Sequence, residues 1–392
     1  MTPDAAAVMG RRARQQAWQA PCTGRPLRVL HVVHELDFGG LEGLVGAIVR
    51  LIDRRRFDSH VLTMSRFGRM AEGLDAFAQL HQVTSIPHLS MLWPRSAIRQ
   101  IRAVAPDVVH THSGVWYKGS LAARHAGVPR LIHTDHGRHH PDPLSARVLD
   151  GLAARRTDVI VAVSEALGHQ MADTLLAERS RIRVVLNGVD LTRFRPRPVS
   201  SALRAELGVP AHVPIIGSVG RLDPIKAYDL MIGAFARLRA QWSDGPAPAL
   251  VLVGDGPERA RLTAVIAQLG LGASVRLTGW RRDVEDVYPL FDVFTLASRS
   301  EGTSLGLLEA MGTGVCPVVT DVGGSGAVLG ADLRHRLVPA GDRAALAHAW
   351  REALTHPDRC KADGAAGRAR VEREFSLERM VREYEGIYAA EA

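Results

Sequence analysis

Short runs rich in Val, Ile and Leu alternate with longer stretches of helical period along almost the whole chain. In the first half, LRVLHVV (27–33), SHVLTMS (59–65), DVVHTHS (107–113), RLIHTDH (130–136) and DVIVAVS (158–164) predict strands. Between them, LEGLVGAIVRLID and SAIRQIRAV predict helices. The second half repeats the habit with PIIGSVG (214–220), ALVLVGDG (249–256), SVRLTG (274–279), VFTLAS (293–298) and VCPVVTD (315–321). Apolar runs separated by helices are the mark of parallel sheets covered on both faces, so the class is α/β. Two such series predict two doubly wound, Rossmann-like domains.

The period breaks in NGVDLTRFRPRPVS (187–200), where Asn-Gly, two prolines and several arginines interrupt it. The boundary is placed near Pro196, giving an N-terminal domain over 27–195 and a C-terminal domain over 196–374. Residues 1–26 carry Arg11, Arg12 and Arg14 without an apolar run that could serve as a signal-peptide core, and predict a flexible basic tail. At the other end, residues 375–392 carry an apolar stripe at Phe375, Met380, Val381, Tyr384, Ile387 and Tyr388. That stripe predicts an amphipathic helix capping a folded domain.

A length of 392 residues, with 46% hydrophobic and 23% charged residues, fits a globular chain too long for one core. Cys22, Cys316 and Cys360 show no paired spacing, which argues against a disulfide framework or zinc site and for a reducing, cytoplasmic setting. No run approaches the roughly 20 apolar residues that span a bilayer. The net charge of +8 is uneven: residues 1–195 carry +9 and residues 196–392 carry −1. A basic N-terminal half fits an anionic surface, with WPRSAIRQIR (93–102) the candidate contact on the inner face of the cytoplasmic membrane; a preference of the genome for Arg explains it equally well. No nucleic-acid recognition motif accompanies the charge.

Ligands of open parallel sheets bind at the C-terminal ends of strands, where helix N-termini offer backbone N–H groups. The richest stretch there is ASRSEGTSLGLLEAMGTGVCPVVTDVGG (297–324). Gly302, Thr303, Ser304 and Leu305 lead into a helix starting near Leu305, with Glu301 before it and Glu309 one turn inside. Arg221 and Lys226 follow a Gly-terminated strand, where two cations can hold a diphosphate. Gly39 and Gly40 permit close approach to a phosphate or sugar, but DFGGLEG lacks the Gly-x-Gly-x-x-Gly of a dinucleotide site, which counts against an NAD-dependent dehydrogenase. His110, His112, His133, His136, His139 and His140 crowd together. No third ligand with helical spacing accompanies the His-x-His pair, so these residues are expected to line a cleft or core and not to bind metal. No Asp-x-Asp occurs in the chain.

Glu301 and Glu309, eight apart and ahead of AMGTGVCPVV, resemble the Glu-x7-Glu motif of retaining glycosyltransferases of the GT-B fold, in the large family numbered four. DFGGLEG, HTDHG, Ser164, NGVD and GRLDPIK follow in the family's order, and the resemblance covers roughly residues 27–390. HTDHGR, SVGRLDPIKAYDL and VGDGPER further resemble a bacterial subgroup associated with exopolysaccharide and exosortase-type gene sets. The resemblance implies two Rossmann-like domains facing across a cleft, with the C-terminal helix packing back on the N-terminal one. It implies transfer of a hexose or similar sugar from a nucleoside diphosphate to a glycan or lipid-linked acceptor, without metal or other cofactor. Glu309 would accept the ribose hydroxyls, Glu301 would lie near the sugar ring, Arg221 and Lys226 would stabilise the diphosphate, and His136 would contact the sugar. Two departures stand out: Ala327 occupies the usual acidic position after the glycine loop, and Lys226-Ala227 replaces Lys-Gly. A phosphorylase or epimerase of the same fold, or a nucleotide-sugar-binding protein without turnover, are the alternatives.

Overall fold

A computed structural model describes residues 24–37, 39–83, 93–137, 144–175 and 177–390. Most of the basic tail, and His139 and His140, lie outside the described residues. The chain forms two units: Met1–Leu186 with Met380–Ala392, and Asn187–Arg379.

In the first unit, β1 (Leu27–Val33), β2 (Phe57–Thr63), β3 (Gln79–Gln82), β4 (Val108–His112), β5 (Arg130–Asp135), β6 (Val159–Ala162) and β7 (Ile182–Val184) form one parallel sheet. Its order is β3-β2-β1-β4-β5-β6-β7. In the second unit, β8 (Ile215–Val219), β9 (Ala249–Val253), β10 (Val275–Gly279), β11 (Val293–Leu296), β12 (Cys316–Thr320) and β13 (Leu337–Val338) take the order β10-β9-β8-β11-β12-β13. Both sheets wind outward from a central strand and then reverse. The reversals fall between β1 and β4 and between β8 and β11, the switch points at which doubly wound sheets open a crevice.

The central strands are buried on both faces, which is why they read as continuous apolar runs: Leu250, Val251 and Leu252 of β9 have no exposed surface. Trp350 is likewise closed to solvent, and its indole N–H donates to Thr295 Oγ1 at 3.0 Å, so a large ring is buried with its one polar atom satisfied. Truncating it to Ala should cost about 3–5 kcal/mol.

The boundary differs from the sequence expectation. The division falls at Leu186/Asn187, nine residues before Pro196. The 187–197 segment is irregular but anchored in the second unit: Asn187 Nδ2 donates to the Thr303 carbonyl at 2.8 Å, Val189 bridges to Ser376, and Arg193 pairs with Glu285 at 2.7 Å. The terminal helix, Leu377–Ala389, passes from Met380 onward into the first unit. There Tyr384 and Tyr388 are buried against β4 and β5, as the apolar stripe anticipates.

Candidate active site

At the β8/β11 switch point the C-terminal ends of two neighbouring strands release two loops. The first turns through Pro224–Lys226, capped by Asp223, and enters the helix Tyr228–Ala240 by way of Ala227 at φ +48°. This is the left-handed region that favours glycine, so the alanine carries strain at the position where the resembled motif has Gly. The second loop runs from Ala297 to Ser304. A hydrogen bond from Arg299 N to the Ile225 carbonyl, at 2.9 Å, ties the two loops together.

That tie sets up the central contact. Lys226 Nζ lies 2.7 Å from Glu301 Oε1, and Ser298 Oγ donates to the same oxygen at 2.6 Å. The Glu301 side chain is only 8% exposed and that of Lys226 23%, so the ion pair is shielded on one side and open on the other. Gly323, at φ +52°, supports the loop from behind: a Cβ there would fall 1.7 Å from the Glu301 carbonyl oxygen. Gly324 N donates to the Gly302 carbonyl at 3.1 Å. Beside the pair starts the helix Leu305–Thr313, whose N-cap Ser304 makes no side-chain cap. Its first N–H groups form the positive end of a helix dipole. Gly306 brings that end close to the terminus of β8, where a Cβ would lie 3.1 Å from the Val219 carbonyl oxygen.

Glu309 sits one turn inside. Tyr288 OH donates to its Oε2 at 2.6 Å. Burial pushes the Glu309 carboxyl up to about 7, opposed by the Tyr288 hydrogen bond and the charge of Arg193. Arg221 differs in kind: its side chain is 73% exposed, with Nε 3.7 Å from Asp223 Oδ2. The second unit thus gathers Lys226, Glu301 and the loop Gly302–Leu305 at one switch point, with Glu309 following on the helix. The Thr303 side chain is buried, and its carbonyl is taken by Asn187.

Gly39, Gly40 and His136 belong to the first unit, at the corresponding end of its own sheet. Gly39 precedes the helix Gly40–Leu51, and the Glu42 carboxylate lies over it: Oε2 would be 2.1 Å from a Cβ on Gly39. His136 follows β5, its N–H donating to Ser113 Oγ at 3.0 Å. Burial lowers its ring to about 4, slightly offset by Asp135, so it is neutral at physiological pH.

One expectation needs correction. The His-x-His pair does have a third imidazole, because the β1/β4 register sets His31 opposite His110. Nitrogens of His31, His110 and His112 come within 4.8 Å of one another, and all three rings are buried. Yet five of their six ring nitrogens are already engaged: His110 with Tyr388 OH and Thr134 Oγ1, His112 with His31 and His136. Only His31 Nε2 has no partner. An ion bound by all three would break at least two of these hydrogen bonds.

Sequence reasoning did not single out Ser298, Tyr288, Asn187 or His31. Ser298, three residues before Glu301 in ASRSE, was within reach of it. Tyr288 reaches Glu309 only through the packing of the helix Leu305–Thr313.

Comparison with known proteins supplies the class. The model of "Glycosyl transferases group 1" matches residues 199–370, and that of "Glycosyltransferase Family 4" matches residues 38–193. The chain belongs to the family 4 glycosyltransferases and has the GT-B fold. It is 33% identical over 192 residues to D-inositol 3-phosphate glycosyltransferase of Nocardia farcinica, covering 47% of this chain and 42% of that protein. The corresponding protein of Corynebacterium urealyticum is covered over 53%, so the chain spans about half the length of these curated relatives. It is 28% identical over 367 residues to 2-deoxystreptamine N-acetyl-D-glucosaminyltransferase of Streptomyces fradiae, covering 88% of this chain and 85% of that one. Among solved structures, HepE of Anabaena, in complex with UDP and glucose, superposes with a TM-score of 0.82 at 20% identity, covering 93% of this chain and all of that one.

Proposed function

We propose that the chain transfers a sugar from a nucleoside diphosphate to an acceptor hydroxyl with retention at the anomeric carbon. The observation that carries this reading is the Lys226–Glu301 ion pair at the β8/β11 switch point, beside a helix N-terminus without a side-chain cap. As the bond from the anomeric carbon to phosphate breaks, negative charge grows on the leaving diphosphate. Lys226, Arg221 and the amides around Ser304 and Leu305 are the groups to stabilise it. The new bond to the acceptor oxygen forms on the same face, and a diphosphate oxygen takes the acceptor's proton. Glu309 receives the ribose hydroxyls, Glu301 steers the sugar, and His136 contacts the sugar. Fixed cations and amides take the place of a metal in this scheme.

The complex of HepE with UDP and glucose makes UDP-sugars the first donors to try. A panel of UDP-, GDP- and ADP-sugars tests this: the true donor at 100 times its dissociation constant adds about 2.7 kcal/mol of stability. NMR of the product then gives the anomeric configuration. If no nucleotide sugar raises the melting temperature, the reading fails. If one does but no acceptor yields product, a binding protein without turnover takes its place.

The acceptor, in this reading, belongs to exopolysaccharide or another cell-surface glycan and is presented on a lipid. No helix among the described residues is long and apolar enough to cross a membrane. The contact would be peripheral, through the helix Arg95–Val104: Trp93 is 49% exposed, and Arg95, Arg99 and Arg102 are exposed beside it. Co-sedimentation with anionic vesicles should fall as salt rises, and equal recovery on neutral vesicles would remove the idea.

A further inference from the structure

Three imidazoles of the first unit form a line that ends on His136. His31 Nδ1 lies 3.3 Å from His112 Nε2, and His112 Nδ1 lies 3.2 Å from His136 Nε2. The rings stack at centroid distances of 5.6 and 5.4 Å. The two terminal nitrogens, His31 Nε2 and His136 Nδ1, are buried and have no partner. The far side is held as well: His110 Nδ1 bonds Tyr388 OH at 2.8 Å and His110 Nε2 bonds Thr134 Oγ1 at 2.7 Å, packing a fixed ring 4.0 Å from that of His112.

A neutral imidazole has one N–H and one lone pair, so each N···N contact needs one proton between its two rings. With a single proton on His112, only two arrangements satisfy both contacts. In one, every N–H points toward His31, which leaves a buried His31 Nε2–H with no acceptor and a bare His136 Nδ1. In the other, every N–H points toward His136, which leaves a lone pair at His31 and an N–H on His136 Nδ1. Either arrangement leaves one N–H at an end of the line, so the two ends decide. His31 is wholly closed to solvent within β1, whereas His136, just past the end of β5, is only partly buried, so an N–H on His136 Nδ1 can meet a ligand oxygen and one on His31 Nε2 cannot. A permanently orphaned N–H is rarer in native proteins than an under-used acceptor, which favours the second arrangement.

We infer that His112 and His31 are positioning residues that fix His136 as a neutral ring with its proton on Nδ1, presented as a hydrogen-bond donor to an oxygen of the sugar. This rests on the reading of His136 as the sugar contact. It narrows the sugar contact to a hydrogen-bond donor, and assigns work to two histidines that touch no substrate.

The test is 15N NMR of histidine-labelled protein, with the His136 signals identified by their loss in His136→Gln. Protonated and bare ring nitrogens resonate far apart, so the wild-type chain alone answers the question. The expected result is a protonated Nδ1 and a bare Nε2 on His136, and a bare Nδ1 overturns the inference. Kinetics supply the second readout. His112→Phe keeps the ring and removes both contacts, and should lower kcat roughly 10- to 100-fold through loss of orientation, with donor KM within about 2-fold. His112→Asn, whose amide sits near the Nδ1 position and still faces His136, should recover most of kcat. His112→Gln, whose amide sits near the Nε2 position and faces His31, should not. If His136→Ala lowers kcat and His112→Phe does not, the positioning role is wrong and the sugar contact stands. If His136→Ala leaves kcat unchanged, the sugar contact itself is wrong.

Discussion

Lys226 Nζ lies 2.7 Å from Glu301 Oε1, so the cation that the proposed scheme offers to a diphosphate is already held by a carboxylate of its own unit. Donor binding must then compete with Glu301 for Lys226. Glu301→Gln removes the competing charge, and UDP should bind roughly 2- to 5-fold more tightly, the worth of a partly exposed ion pair. Turnover should fall in the same variant, because the sugar loses its carboxylate. Calorimetry beside steady-state kinetics checks both, and weaker UDP binding would place the diphosphate away from Lys226.

Glu309 gives stability a pH dependence of known sign. Its carboxyl, ordinarily at 4.5, is pushed up to about 7, so the native state holds a proton that the unfolded chain has released. Its contribution to stability is therefore lost as pH rises from 4.5 to 7. Glu309→Gln cannot ionise and keeps an acceptor for Tyr288. Its melting temperature relative to wild type should be higher at pH 8 than at pH 5, with activity reduced at both. The opposite trend would mean that the carboxylate is well solvated.

The buried histidines act in the other direction. Burial lowers His31 to about 3 and His136 to about 4, from an ordinary 6.5, and takes His110 and His112 well below it. The unfolded chain binds protons that the native array refuses, so stability present above pH 6.5 is lost as pH falls toward 4. Acid unfolding should be shallower for His31→Phe than for wild type when followed by tryptophan fluorescence. Equal slopes would remove the array as a source of acid sensitivity.

Gly323 and Gly341 separate backbone strain from collision. Both have positive φ, at +52° and +82°, but a Cβ on Gly323 meets the Glu301 carbonyl oxygen whereas one on Gly341 meets nothing within 4 Å. Gly341→Ala should cost about 1–2 kcal/mol with kcat intact. Gly323→Ala should cost about 1–3 kcal/mol more and reduce turnover, since the loop bearing Glu301 must move. Similar kinetics for the two variants would show that the loop tolerates displacement.

Central strands were legible because burial on both faces makes them continuous apolar runs: LRVLHVV is β1 residue for residue. The strands missed are all at sheet edges. Gln79–Gln82 and Ile182–Val184 are half-exposed, and Leu337–Val338 is two residues long, so none shows an apolar run. The same division applies to the site. Glu301, Glu309 and the helix start at Leu305 lie close in sequence and were read directly. His31 and His112 are 81 residues apart, and Tyr288 precedes Glu309 by 21; only strand register and packing unite them.

The central claim is that Lys226 and Arg221 stabilise charge growing on the leaving diphosphate. An interaction that strengthens in the transition state lowers kcat when removed, whereas uniform binding raises KM. Arg221 is exposed, so Arg221→Ala should shift stability by no more than about 0.5 kcal/mol. Steady-state kinetics of folded Lys226→Ala and Arg221→Ala with the donor found in the panel decide the matter. The account expects kcat to fall by roughly 10²–10³ in each, with donor KM moving less. Full kcat in both variants would contradict it and place the diphosphate elsewhere.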